Sequence, residues 1–238
     1  MIFAVVLAGG KGSRMGNTDM PKQFFRLGAK PILVHTVEKF FVNPRFEKVI
    51  VPTHKSWVNH AQNLLDKELG KTDRVAVIDG GETRNDTIMN AIAYIEENYG
   101  LADDTVIVTH DAVRPFVTHR IIEECIDATL QYGACDVAEP AVDTIVECAD
   151  GEWISAVPLR SKMYQGQTPQ CFKAKRLKEI YLSLTPEEKA SLTDACKMYV
   201  LKGEPVHLVK GEVFNIKITY PFDMKIAQAL LNDPEYNK

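Results

Sequence analysis

The chain has 238 residues and a net charge of −4, from 28 Lys and Arg against 32 Asp and Glu. Hydrophobic residues make up 45% and charged residues 25%, the balance of an ordinary globular protein able to bury one large core. This excludes a broad basic face for nucleic acid and, with no apolar run of about 18 residues, a membrane-spanning helix; a small pocket lined with Arg and Lys stays open.

Ile2 to Leu7 reads as a buried strand running into Gly9-Gly10, and not as a secretion leader. Ile32 to Phe41 has helical spacing, Lys48 to Val51 is a strand, and Trp57 to Leu69 is a helix. A strand at Arg74 to Ile78 ends at Asp79-Gly80-Gly81, followed by a helix from Asp86 to Tyr99 with Ile88, Ala91, Ile92 and Ile95 on one face. Thr105 to Thr109 is a strand and Arg120 to Leu130 a helix. From about Val137 to Val157 the rhythm breaks: extended segments flank the turn signal Asp150-Gly151, which predicts a protruding β-arm. Helices at Lys173 to Leu184 and Pro186 to Leu201, a strand at Val206 to Val209 and a helix from Pro221 to Leu231 complete the chain. The alternation predicts an α/β fold, a Rossmann-like and mostly parallel sheet with helices on both faces, in one domain spanning residues 1–238. The five cysteines, Cys125, Cys135, Cys148, Cys171 and Cys196, are odd in number and contain no Cys-x-x-Cys. They suggest neither a disulfide framework nor a zinc ribbon, and a reducing cytoplasm fits.

In such sheets ligands bind beyond the carboxyl ends of the strands. Three polar or Gly-rich segments fall there: residues 9–22, Gly80 to Asp86, and His110 to Pro115. The first lets backbone N–H groups approach phosphates and carries Arg14 and Lys22, but matches neither the P-loop nor the dinucleotide fingerprint. The second could place backbone groups and Thr87 against a base edge, or could simply cap a helix at Asn85 or Asp86. In the third, Asp111 could hold a ribose hydroxyl or Mg²⁺, and Arg114 a phosphate; an Asp–Arg pair that fixes the loop competes with this. His110 reads as a packed, hydrogen-bonded side chain. Later, Gln165 to Gln170 is too densely polar for an ordinary strand, Thr193-Asp194-Ala195 could be a helix cap, and Asn215 to Thr219 alternates as a strand with Lys217 opposite Ile216 and Ile218.

Together, Leu7-Ala-Gly-Gly-Lys-Gly-Ser-Arg-Met-Gly16 with Pro21-Lys-Gln, Gly80-Gly-x-x-Arg-x-Asp-Thr87, His110-Asp-Ala-Val-Arg-Pro115, Gln167-Thr-Pro-Gln170, Thr193-Asp-Ala195 and Asn215-Ile-Lys-Ile-Thr219 resemble the cytidylyltransferase family. That family includes the methylerythritol-phosphate enzyme of isoprenoid synthesis and the ribitol-5-phosphate enzyme of teichoic acid synthesis. Gly9, Val113 and Met163-Tyr164 resemble the ribitol-phosphate branch; methylerythritol phosphate is the alternative acceptor. The resemblance implies the nucleotide-diphospho-sugar transferase type of fold and transfer of a cytidylyl group from CTP to an alditol phosphate. It implies that Leu7, Ala8, Gly9, Gly10 and Gly12 lie along the triphosphate, that Gly81, Glu82 and Thr87 face the cytosine, and that Asp111 faces the ribose and the metal. Arg14, Lys22 and Lys217 would be catalytic, and Arg114, Thr144, Arg160 and Lys217 would hold the acceptor phosphate. It further implies Mg²⁺ or another divalent cation, and a homodimer in which the β-arm at about 137–157 crosses the twofold axis. A non-catalytic nucleotide-binding regulator is disfavoured, because a sensor has no need of a second anion pocket. The nucleophile, a phosphate monoester, is mostly dianionic at neutral pH, so no general base is needed.

Overall fold

The computed structural model describes residues 1–10 and 20–233. Nine strands and eight helices alternate along them: β1 (Ile2–Leu7), β2 (Arg26–Leu27), β3 (Lys30–Pro31), α1 (Ile32–Phe41), β4 (Lys48–Thr53), α2 (Val58–Leu69), β5 (Val75–Asp79), α3 (Arg84–Tyr99), β6 (Val106–Asp111), α4 (His119–Tyr132), β7 (Ala134–Pro140), β8 (Tyr164–Lys173), α5 (Ala174–Ser183), α6 (Pro186–Ala190), α7 (Cys196–Leu201), β9 (His207–Lys210) and α8 (Pro221–Leu231). Seven strands form one sheet in the order β5-β4-β1-β6-β8-β7-β9; β2 and β3 form a separate small hairpin. Only β8 runs against its neighbours β6 and β7, so the sheet is mostly parallel, as its sequence predicts.

Alternation along β1 explains the layers. Ala4 and Val6 pack beneath α1, α2 and α4, while Phe3 and Val5 pack beneath α3, α5 and α7. A strand buried on both faces reads as a continuous apolar run, which is what Ile2 to Leu7 shows. Each fully buried Val, Ile or Phe contributes about 1.5–3 kcal/mol.

Several elements depart from their sequence signals. The polar run from Gln165 to Gln170 does lie within a strand, β8, because its side chains find partners: Gln167 donates to the Glu212 carbonyl at 2.9 Å and Thr168 pairs with His110 at 3.0 Å. The segment Asn215 to Thr219 joins no sheet. Its backbone is held by scattered bonds and not by a ladder: the Ile218 N–H donates to the Val113 carbonyl at 2.9 Å, the Asn215 N–H to the Glu212 carbonyl at 3.0 Å and the Thr219 N–H to Asp223 Oδ2 at 2.7 Å, and the apolar period reflects Ile218 packing against Leu27, Val113 and Phe116. The arm is no ladder either: Glu147 and Ala156 form an isolated antiparallel bridge around the turn at Gly151. Helix α3 starts at Arg84, with Thr83 as its cap and Asp86 closing a capping box, so neither Asn85 nor Asp86 is the cap. The helix expected from Pro186 to Leu201 breaks between α6 and α7, where Asp194 accepts the Lys197 N–H at 2.9 Å. No described helix is long and apolar enough to cross a membrane.

Asp136, opposite Gln170 in the β7–β8 pairing, is a buried carboxyl facing Asp194. Burial, and then the Asp194 charge, push its pKa up to about 7 from 3.8. The folded protein therefore holds a proton that the unfolded chain releases from about pH 4 upward. Its contribution to stability is full below pH 4 and is lost as pH rises to 7. Asp136→Asn cannot ionise, so it is expected to stabilise the protein at pH 8 by on the order of 1–2 kcal/mol. At pH 4 it should give no gain. Thermal unfolding at the two pH values checks this; an equal shift at both would contradict the origin given.

Candidate active site

The carboxyl ends of β1 and β6 lie side by side, with Leu7 in register with Asp111. Beyond them opens a cavity of about 400 Å³. Of the residues singled out in the sequence, Leu7, Ala8, Gly9, Gly10, Lys22, Gly81, Glu82, Thr87, Asp111 and Lys217 line it. Segments as far apart in sequence as Leu7 and Lys217 thus meet in one place.

Each wall has a local cause. Pro21 leads into a short 3-10 turn, Lys22–Phe24, whose Gln23 amide donates to the carbonyls of Ala8 at 2.6 Å and Gly10 at 3.2 Å. This ties Lys22 to the glycine loop. On the opposite wall, the Gly81 N–H donates to Thr87 Oγ1 at 3.0 Å, and that hydroxyl donates to the Thr83 carbonyl at 2.8 Å. A Cβ on Gly81 would lie 2.4 Å from Asp86 Cβ and 2.7 Å from the Thr87 nitrogen, so only glycine fits there. Tyr181 on α5 donates to Asp86 at 2.5 Å and braces the first turn of α3 from outside.

Asp111 is the electrostatic centre. Its Oδ2 lies 2.9 Å from Lys217 Nζ and 3.5 Å from Arg114 Nε, and its Oδ1 lies 3.6 Å from Arg84 Nε. Burial alone would raise its pKa, but Arg84, Lys217 and Arg114 together hold it well below the usual carboxylate range. Three cations around one carboxylate leave a surplus of positive charge facing the cavity, with Lys22 on the far wall. Arg114 itself is buried, which lowers its pKa, and it donates to the Asn215 carbonyl at 2.7 Å.

His110 does no proton chemistry here. Burial drives its pKa down to about 4, so its ring is neutral. Nε2 donates to the Arg114 carbonyl at 3.0 Å, which leaves Nδ1 to accept from the Thr168 hydroxyl at 3.0 Å. The Thr168 oxygen in turn accepts the Asp111 N–H at 3.2 Å. This relay sets the backbone that carries Asp111 and Arg114.

Three described residues predicted for the site do not line the cavity: Arg114 is buried behind Asp111, Thr144 lies on the exposed arm, and Arg160, exposed just after the arm, donates to the Val142 carbonyl at 3.0 Å. Gly12 and Arg14 lie outside the described residues. Sequence reasoning missed Arg84, which lines the cavity and has a buried Nη1 that finds no hydrogen-bond partner among the described residues. The signal was present: an arginine in the first turn of a helix opposes the dipole, and a compensating anion has to be sought. For the CTP that the sequence resemblance implies, Arg84→Ala is expected to raise KM about tenfold, the loss of one charge-assisted hydrogen bond, while kcat falls less. Steady-state kinetics would check this; an unchanged KM would place Arg84 outside the binding surface.

The family model described as 2-C-methyl-D-erythritol 4-phosphate cytidylyltransferase matches residues 2–233. The chain is 27% identical to 2-C-methyl-D-erythritol 4-phosphate cytidylyltransferase from Francisella tularensis, with a TM-score of 0.80 over 96% of this chain and 98% of that one. It is 25% identical to 4-diphosphocytidyl-2C-methyl-D-erythritol synthase from Anaerococcus prevotii, with a TM-score of 0.79 over 98% of this chain and 96% of that one. The Thermus thermophilus cytidylyltransferase of the same name is 25% identical, with a TM-score of 0.74 over 98% and 100% of the two chains. The cytidylyltransferase expectation and the nucleotide-diphospho-sugar transferase fold therefore stand. The ribitol 5-phosphate acceptor and the teichoic acid pathway do not, since the family model and these structures carry the methylerythritol-phosphate description. The residues behind that branch choice explain the error. Among the described residues, a Cβ at Gly9 would meet only Thr87 Oγ1, at an ordinary 3.7 Å, so the space there admits alanine as well as glycine. Val113 packs into the cluster of Leu27, Phe116 and Ile218, and Tyr164 is exposed at the outer end of β8. Gly9 and Val113 line the cavity but offer no polar side-chain group to tell one alditol phosphate from another, and Tyr164 does not line it.

Proposed function

Because the chain belongs to the 2-C-methyl-D-erythritol 4-phosphate cytidylyltransferase family, we propose that it transfers the cytidylyl group of CTP to 2-C-methyl-D-erythritol 4-phosphate and releases pyrophosphate, as a step of isoprenoid synthesis. The observation that carries this is the convergence of Arg84, Arg114 and Lys217 on Asp111, at a cavity whose opposite wall holds Lys22. Two polyanions must approach each other in this reaction, and such a cluster offsets their repulsion.

In the proposed reaction the phosphate oxygen of the acceptor attacks the α-phosphorus of CTP in line, and the bond to pyrophosphate breaks. Gly81, Glu82 and Thr87 hold the cytosine, and the loop at Gly9 and Gly10 follows the triphosphate. Arg114 and Lys217 hold the acceptor phosphate. Lys22, with Arg14, offsets charge on the α-phosphate and the leaving group. Asp111 is already shared by three cations, so the donor set fits a divalent cation bound mostly through phosphate oxygens and water, in the manner of Mg²⁺. Such an ion supplies charge neutralisation on the triphosphate.

The arm supports a homodimer. Val142, Trp153 and Ile154 are 78%, 75% and 63% exposed, an apolar surface that a second copy would cover. Thr144 and Arg160 would then reach the cavity of that copy. Trp153→Glu is expected to shift the protein to monomers in light scattering and to lower activity with it; a dimer of unchanged stability would refute the arm contact. The activity itself is tested by pyrophosphate release over four nucleoside triphosphates and a panel of alditol phosphates. Release is expected with CTP and 2-C-methyl-D-erythritol 4-phosphate. Preference for another alditol phosphate would overturn the acceptor, and no release with any would overturn the transferase.

A further inference from the structure

Three core cysteines carry chemistry that cytidylyl transfer does not use. Cys125 on α4, Cys135 on β7 and Cys171 on β8 are fully buried free thiols. Their Sγ atoms all lie within 4.8 Å of one another. The fold brings them together for simple reasons. Cys135 and Cys171 are direct cross-strand partners, so their side chains leave the sheet on the same face. Cys125 belongs to the buried stripe of α4 that covers that face. One turn on, the Thr129 hydroxyl lies 2.7 Å from the Cys125 carbonyl and 3.4 Å from Cys135 Sγ.

The surroundings are apolar, with Val108, Ile122, Ile126 and Val137 in the same cluster. The ionisable groups acting most strongly on the three thiols are one another, with Asp136 and His207 next. Burial and the neighbouring thiols push Cys171 up, while hydrogen bonds from Cys125 and Cys171 draw Cys135 down.

Three sulfur donors select a soft ion of low coordination number. A trivalent ion with a lone pair binds three sulfurs as a pyramid, so at ion–sulfur bonds of about 2.3 Å the sulfurs stand roughly 3.4 Å apart, and a trio within 4.8 Å has to close by at most about 1.4 Å. Charge then decides which ion. Three thiolates on a monovalent or divalent ion leave a net negative charge in an apolar core, which is strongly disfavoured. A trivalent ion leaves none. We propose that Cys125, Cys135 and Cys171 form a three-thiol site for trivalent arsenic, taken up as arsenous acid. Three S–H and three As–O bonds break, three As–S bonds form, and three water molecules leave, with no change of oxidation state. Entry needs local opening only. β7 lies beside the edge strand β9, four residues long, whose release bares the outer edge of β7, the strand that carries Cys135.

The test uses the full chain, kept reduced with a thiol-free phosphine, and sodium arsenite as the probe. Native mass spectrometry is expected to show one arsenic per chain, with the mass raised by one arsenic less three hydrogens. Of the five cysteines, three should then be lost to thiol titration in denaturant. Cys125→Ala, Cys135→Ala and Cys171→Ala, each checked for folding by circular dichroism, should lose the three-sulfur adduct, while Cys148→Ala and Cys196→Ala keep it. An adduct that forms only in denaturant, or that survives any of the first three substitutions with three hydrogens displaced, overturns the proposal. Equal uptake of cadmium or zinc overturns the charge argument. The readout is independent of nucleotide transfer, so failure here leaves the proposed activity untouched.

Discussion

Lys217→Ala is expected to lower turnover by about two to three orders of magnitude, the loss seen when one preorganised donor to developing charge is removed. Lys217 Nζ lies 2.9 Å from Asp111, and its side chain remains 39% exposed, toward the cavity it lines. In the proposed reaction it stands where the acceptor phosphate meets the triphosphate. Alanine would leave the loop in place, because the neighbouring Ile218 is fully buried and its N–H is held by the Val113 carbonyl. Thermal unfolding should therefore stay close to that of the parent. Lys217→Arg should recover part of the rate but not all, since a planar fork cannot occupy the position of a compact ammonium. Pyrophosphate release at saturating CTP reads the effect. A rise in KM with turnover intact would reduce Lys217 to a binding role.

The second large effect is expected at Lys22, where alanine should lower turnover by about two orders of magnitude or more. Lys22 is 7% exposed and lines the wall facing Asp111. A cation held in so little water acts on a nearby phosphate with weaker screening than one at the surface. The turn that carries it has its own anchors. Gln23 bonds to Ala8 and Gly10, and Phe24 stacks on Trp57 with ring centroids 5.2 Å apart. The variant should therefore fold and still bind nucleotide through Gly81 and Thr87. Single-turnover measurements would show slow chemistry after normal binding; near-parental turnover would remove Lys22 from the reaction.

The centre of the sheet was legible in the sequence because β1, β4 and β6 are buried on both faces, and their apolar runs signal that directly. The site was legible where one residue type has one physical use. Gly81 is such a position, since any Cβ collides with the first turn of α3. Strand β8 was not, because its polar residues are satisfied by partners far along the chain, such as Glu212 for Gln167. Nor was the loop at Lys217: Ile216 and Ile218 alternate as they would in a strand, but that period reports a side chain entering a small cluster, not a ladder. Nothing in the Gly80–Thr87 motif assigns Arg84 a role; the fold sets its Nε 3.6 Å from Asp111 Oδ1. The acceptor was misread because Gly9 and Val113 line the cavity with no polar side-chain group that would select an acceptor, and Tyr164 stands outside it.

The carboxylate at the centre of the cation cluster has a thermodynamic consequence for ligand capture. Immobilising a long side chain at an interface costs about 0.5–1.5 kcal/mol. Arg84, Arg114 and Lys217 are already gathered by Asp111, so the chain bears that entropy loss when it folds and not when a polyanion arrives. Affinity for an incoming phosphate should accordingly be governed by enthalpy and ionic strength, with little induced rearrangement of these three side chains.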